Sequence, residues 1–67
     1  MKDFENKVIK LYLNQDNGFY GITGAYINSS NDFVVIENTF THKIQYVSKF
    51  FIRYIEIVRD LKDADFE

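Results

Sequence analysis

Sixty-seven residues without cysteine, proline or tryptophan, carrying a formal net charge of −2, exclude a second domain, a disulfide scaffold and a membrane-spanning apolar run. A chain of 8.0 kDa buries only about 60% of the surface it exposes when unfolded; the apolar gain, on the order of 105 kcal/mol, then barely exceeds the roughly 100 kcal/mol needed to order the chain. Association with copies of itself or with a partner is the expected further source of stability.

Strand formers dominate, with 28 residues of Val, Ile, Thr, Phe and Tyr against two Ala and three Leu, so the chain reads as all-β. From Val8 to Asn14, Ile9, Leu11 and Leu13 share one face and Lys10, Tyr12 and Asn14 the other, the period-two pattern of a half-buried strand. Gln15, Asp16, Asn17 and Gly18 supply a tight turn, because Asn and Gly tolerate positive φ. A long second strand runs from Phe19 to Asn28 and carries Gly21 and Gly24, where missing side chains permit a bulge or a bend. Asn28 to Asp32 form the next turn, Phe33 to Phe40 a third strand, Thr41 and His42 a further turn, and His42 to Ser48 a fourth strand.

The C-terminal third supports two readings. Phe51, Tyr54, Ile55, Val58 and Leu61 fall at the spacing of a helical apolar stripe that Ser48 would cap. Alternatively Ser48 to Phe51 make one 3₁₀ turn and Ile52 to Val58 a fifth strand, favoured by the β-branched and aromatic run. The acidic end, with Asp60, Asp63, Asp65 and Glu67, reads as a frayed tail or short helix. The expectation is one domain with a core at about residues 7–58 and an acidic tail at about 60–67.

The order KLYLNQDNG, a glycine-bent second strand, NDFVVIENT, a Tyr-containing fourth strand and SKFFIRYI resembles the small Sm-like β-barrels, in particular their bacterial Hfq-type branch, over about residues 7–58. The resemblance implies a five-stranded, strongly bent antiparallel barrel, with subunits joined in a ring by the edges of the fourth and fifth strands and binding single-stranded RNA through stacked bases. Carried over by motif, Tyr12 is the stacking residue of one face, Phe33 that of the opposite pocket, and Lys49 the base or phosphate contact. Phe50 stands where the family carries a histidine.

No catalytic constellation is present in the sequence. His42 is the single histidine and reads as a solvated turn residue, and Asp60, Asp63 and Asp65 lack the Gly and terminal Glu of a calcium loop. Gly18, Gly21 and Gly24 match no phosphate-binding loop. No cofactor, metal or enzymatic activity is expected. A pI near 5.2 speaks against general nucleic-acid coating, yet the charge is uneven. Residues 38–59 hold Lys43, Lys49, Arg53 and Arg59 against Glu56 alone, three units positive, while the remainder is five units negative. Phe40, Tyr46, Phe50, Phe51 and Tyr54 interleave with these cations. Such a mixture suits stacked bases and held phosphates, and equally suits a packed core with solvated cations outside.

The N-terminal MKDFENK offers no apolar signal region, so a cytoplasmic location is expected. The surplus of Phe, Tyr, Ile, Asn and Lys over Gly, Ala, Arg and Pro follows AT-rich codons and points to a low-GC bacterium or one of its phages. The function expected is a non-enzymatic homo-oligomeric module that binds single-stranded RNA or a nucleotide-like anion through Tyr12, Phe33, Lys43, Lys49 and Arg53. The alternative is a small phage- or mobile-element-encoded interaction protein that inhibits or sequesters a host partner by edge-strand pairing or an aromatic patch.

Overall fold

The computed structural model describes residues 2–15 and 18–61. A 3₁₀ turn, η1 (Lys2–Phe4), precedes β1 (Lys7–Gln15), β2 (Gly18–Ser29), β3 (Phe33–Asn38) and β4 (Ile44–Ser48); a second 3₁₀ turn, η2 (Lys49–Phe51), leads into β5 (Ile52–Asp60). The strands form one antiparallel sheet in the order β4-β3-β2-β1-β5. The C-terminal third is therefore a strand, and the helical reading of residues 51–61 is corrected: β-branched and aromatic residues pair along β1 from Lys7↔Asp60 to Leu13↔Ile52. Asp16 and Asn17 of the expected first turn, and Asp63, Asp65 and Glu67 of the acidic end with its possible short helix, lie outside the described residues. Among the described residues no helix is long and apolar enough to cross a membrane.

Other boundaries differ from the sequence expectation: the fourth strand, expected from His42, begins at Ile44, because His42 at φ 61° belongs to the preceding turn. Ser29, expected in the turn, extends β2 one residue beyond Asn28. β3 stops at Asn38, before Phe40, because the Asn38 side chain turns the chain: its Oδ1 accepts from the backbone N–H groups of Phe40 and Thr41, at 2.8 and 3.1 Å. The turn closes with His42 at φ 61°, its N–H donating to the Asn38 carbonyl at 2.8 Å. Phe40 thereby stands at the hairpin tip, 85% exposed.

Val8, Ile9, Leu11, Tyr26, Val34, Ile36 and Val47 are buried, with Phe4, Leu13, Ile22, Ile52 and Ile55 packed against the main cluster. On β4 the core takes only Val47, leaving Ile44 and Tyr46 outward. A single sheet makes such a core only by curling on itself. In a flat sheet β4 and β5, four strand spacings apart, would lie about 19 Å from each other, whereas a 3₁₀ connector from Ser48 to Ile52 advances only about 8 Å. η2 is that connector: the Ser48 hydroxyl caps it by accepting from the Phe50 N–H at 3.2 Å. The curl is served by register shifts at Ile27 in β2 and at Arg53 and Val58 in β5, since an extra residue bends and twists its strand. The hydrogen-bonded ladder itself stays open, with β4 and β5 as its two edges.

The two β2 glycines differ in what surrounds them. A Cβ at Gly24 would come within 2.7 Å of both the Glu37 carbonyl oxygen and Ile36 Cδ1, so β3 closes directly onto it; at Gly21 the obstacle is Lys10 Cε at 2.7 Å, part of a flexible side chain. Gly24→Ala should therefore destabilise by about 1–3 kcal/mol, and Gly21→Ala by less than about 1 kcal/mol. Urea denaturation of the two variants provides the comparison, and equal effects would contradict the close β2–β3 approach.

Candidate functional site

Bending of the sheet creates a groove of about 410 Å³ lined by Phe4, Val34, Lys49, Ile52, Arg53, Tyr54 and Ile55. Val34 belongs to β3 and Ile52 and Ile55 to β5, so two strands that are not neighbours in the ladder share one wall. Lys49 is anchored at the start of η2, its N–H donating to the Asp32 carbonyl at 2.8 Å. Arg53 enters the same groove at a β5 bulge. Two cations thus border an apolar floor, an arrangement that suits an anion attached to a flat or apolar group.

Tyr12 lies next to this groove rather than in it. It pairs in register with Tyr54, and the two rings stack with centroids 4.4 Å apart and planes 21° from parallel. The Tyr12 hydroxyl donates to Glu56 Oε1 at 2.8 Å, and Lys10 Nζ sits 5.0 Å from its ring centre. Tyr54 joins the two regions, since it both stacks on Tyr12 and lines the groove. The ring of Tyr12 is accordingly part of a built pair of tyrosines, not an isolated platform.

Phe33 begins β3 on the face opposite the core residues Val34 and Ile36. It stands edge-on to Tyr46, with centroids 6.4 Å apart, beside a separate hollow of about 230 Å³. Lys43 is brought near none of the others. It lies in the β3–β4 turn, where its N–H donates to Thr41 Oγ1 and its carbonyl accepts from Asn38 N–H. The five residues of β4, about 17 Å of strand, separate it from Lys49. Asp60 is engaged in an ion pair with Lys7 across β1 and β5, and among the described residues no group of His, Asp or Glu is placed to hold a metal.

No protein-family model, no curated protein and no solved structure matches the chain. The site stands on its geometry. Of the five residues that the sequence points to, the fold gathers Lys49 and Arg53 into one groove, sets Tyr12 at its border, and leaves Phe33 and Lys43 elsewhere. Phe4 carries no signal in the sequence, because it is remote along the chain and reaches the groove only through η1. Tyr54 is visible as one of the interleaved aromatics, but its partnership with Tyr12 depends on the β1–β5 register.

The carboxylate of Glu56 raises the Tyr12 phenol above its ordinary value of 10.0: the hydrogen bond to Glu56 is the largest cause, followed by desolvation and the nearby negative charge. A raised phenol contributes stability that is complete below the unfolded value and is lost as pH rises through the folded one. Glu56→Gln should bring the Tyr12 ionisation back toward its ordinary value. NMR titration of ring-labelled tyrosine measures this directly, and an unchanged midpoint would show that the hydrogen bond does not hold the phenol.

Proposed function

We propose that the chain is a non-enzymatic binding module, an Sm-like barrel that assembles with copies of itself through β4 and β5 and takes single-stranded RNA or a nucleotide-like anion at the Lys49–Arg53 groove. The observation that carries this reading is the state of the two sheet edges. β4 reads Ile-Gln-Tyr-Val-Ser, without the charge or proline that ordinarily blunts an exposed edge, and it pairs with β3 without a bulge. Large apolar side chains remain exposed along and between the two edges: Ile44 and Tyr46 on β4, Phe50 and Phe51 on η2, and Ile57 and Val58 on β5. Pairing β4 of one copy with β5 of the next supplies the missing ladder partners and covers this surface. It also agrees with the small surplus of burial over chain entropy in a domain of this size.

The ligand follows from the groove. Lys49 and Arg53 offer charge-assisted hydrogen bonds to phosphate, Tyr54 and its stacked partner Tyr12 offer aromatic surface, and repetition around a ring would multiply weak interactions. Light scattering should give a mass several times 8.0 kDa; a stable monomer removes the ring. Fluorescence polarisation with short single-stranded RNA and with cyclic nucleotides at two salt concentrations should show saturable binding. Lys49→Ala should weaken it and reduce the salt slope by about 0.7 for each phosphate that is no longer neutralised. Binding indifferent to that substitution removes the anion site. Recovery of one stoichiometric host protein with no nucleic acid would instead favour the interaction-protein reading, in which a partner's strand occupies an edge.

A further inference from the structure

The segment ahead of β1 rests on the sheet through one side chain. Of the η1 residues, Lys2 and Asp3 are exposed and Phe4 is half-buried; Glu5 and Asn6, which lead into β1, are exposed again. The backbone bond that closes η1, from the Glu5 N–H to the Lys2 carbonyl, measures 3.2 Å. Phe4 packs against the core, its ring 6.0 Å from that of Tyr26 and inclined to it by 55°, and it walls the groove that holds Lys49 and Arg53. Asn6 carries the reversal that brings it there. Its φ of 62° is left-handed, a conformation that Asn adopts at little cost and β-branched residues avoid, and its carbonyl accepts from the Leu61 N–H at 2.8 Å. An extended residue at this position would carry η1 onward in line with β1 and take Phe4 out of the groove.

Resting on the reading of that groove as an anion site, we propose that η1 is a strap hinged at Asn6, which closes the groove with Phe4 and swings off it when ligand enters. Two properties make the strap respond to such a ligand. Phe4 covers apolar surface that a flat ligand group would take, and at about 410 Å³ the closed groove is near the lower end of the range for small-molecule sites, about 300–1,000 Å³. The residues on either side of Phe4 are Asp3 and Glu5, so an incoming anion repels the strap while it pairs with Lys49 and Arg53. Ligand therefore binds the open arrangement better than the closed one, which is the difference in affinity that a population shift requires. Opening leaves the sheet whole, because the β1–β5 ladder begins at Lys7↔Asp60, beyond the hinge.

The chain lacks tryptophan, so Phe4→Trp places a single indole on the strap. In the free protein its emission should lie to the blue of a solvated indole. It should move to the red, with stronger acrylamide quenching, as short single-stranded RNA or a cyclic nucleotide saturates the groove. Asn6→Val added to this variant should give the red shift without ligand, because the β-branched side chain disfavours the left-handed hinge; Asn6→Gly, which tolerates it, should not. Amide exchange along β1 and β5 should stay slow in both, which separates opening of the strap from loss of the sheet. With Phe4 restored, Asn6→Val should bind ligand about fivefold more tightly than Asn6→Gly. Weaker binding by Asn6→Val, or an indole emission that stays fixed or moves to the blue as ligand saturates, would make Phe4 a fixed wall and overturn the strap. If neither ligand binds any variant, the anion site fails, and the free protein then decides the strap: a red shift from Asn6→Val over an intact sheet keeps it, and no shift removes it.

Discussion

The three-residue connector between β4 and β5 is the constraint on which the remaining architecture depends. β4 and β5 are consecutive in the chain yet occupy opposite edges of the sheet, and one 3₁₀ turn cannot bridge the width of five flat strands. The sheet therefore has to wrap. Wrapping brings β3 and β5 to a common groove, and it lets one sheet bury Ile9, Leu11, Val34, Ile36 and Val47 without a second layer or a helix. Ser48 fixes the start of the connector by capping it, and the Asp32 carbonyl ties Lys49 to the β2–β3 loop. A packing requirement and the placement of a cation thus share the same few hydrogen bonds.

Bulges adapt the strands to this curvature, and each one delivers a side chain to the surface. Ile27, Arg53 and Val58 are the three extra residues among the described strands, and all three are exposed. Arg53 reaches the groove, Ile27 walls the hollow, and Val58 sits on the open β5 edge. Because a strand that gains one residue reverses the inward–outward alternation beyond it, the devices that bend the sheet also decide which side chains a ligand or neighbour can touch. Gly24 complements them from the opposite direction, since its missing side chain admits the Glu37 carbonyl and Ile36.

Much of this fold is legible in the sequence because half-buried strands announce themselves by alternation. Spacing alone places Ile9, Leu11 and Leu13 on one face, whereas the Ser48–Phe51 turn is one of two readings the C-terminal third allows, favoured by its β-branched and aromatic run. Register is the information that alternation does not carry. The Tyr12–Tyr54 stack requires β1 and β5, about forty residues apart, to meet at those two positions, and no local pattern states that. The end of β3 escapes for a different reason: Thr39 and Phe40 continue the alternation of apolar and polar residues, but the Asn38 side chain satisfies the backbone N–H groups of Phe40 and Thr41 and so offers the chain an alternative to the ladder. On β4 the sequence presents Ile44 and Tyr46 on one face and Val47 on the other; the core takes the single valine, leaving a larger apolar face outside.

That choice on β4 bears on how the molecule meets other chains. A half-buried strand normally turns its more apolar face inward, because each large side chain removed from water contributes roughly 1.5–3 kcal/mol. Here the inward position of Val47 is fixed by its pairing with Val34, and Ile44 and Tyr46 follow on the opposite face by alternation. The two edges are then unequal. β4 is five residues, regular and uncharged, whereas β5 is nine residues, twice bulged, and carries Arg53, Glu56, Arg59 and Asp60. Unequal edges favour pairing a regular, uncharged β4 with β5 over pairing two bulged β5 edges, because bulges interrupt the ladder that an added strand needs. Head-to-tail pairings close into rings or run on as filaments according to the rotation between copies, and in the proposed assembly the curvature imposed by η2 would set that rotation.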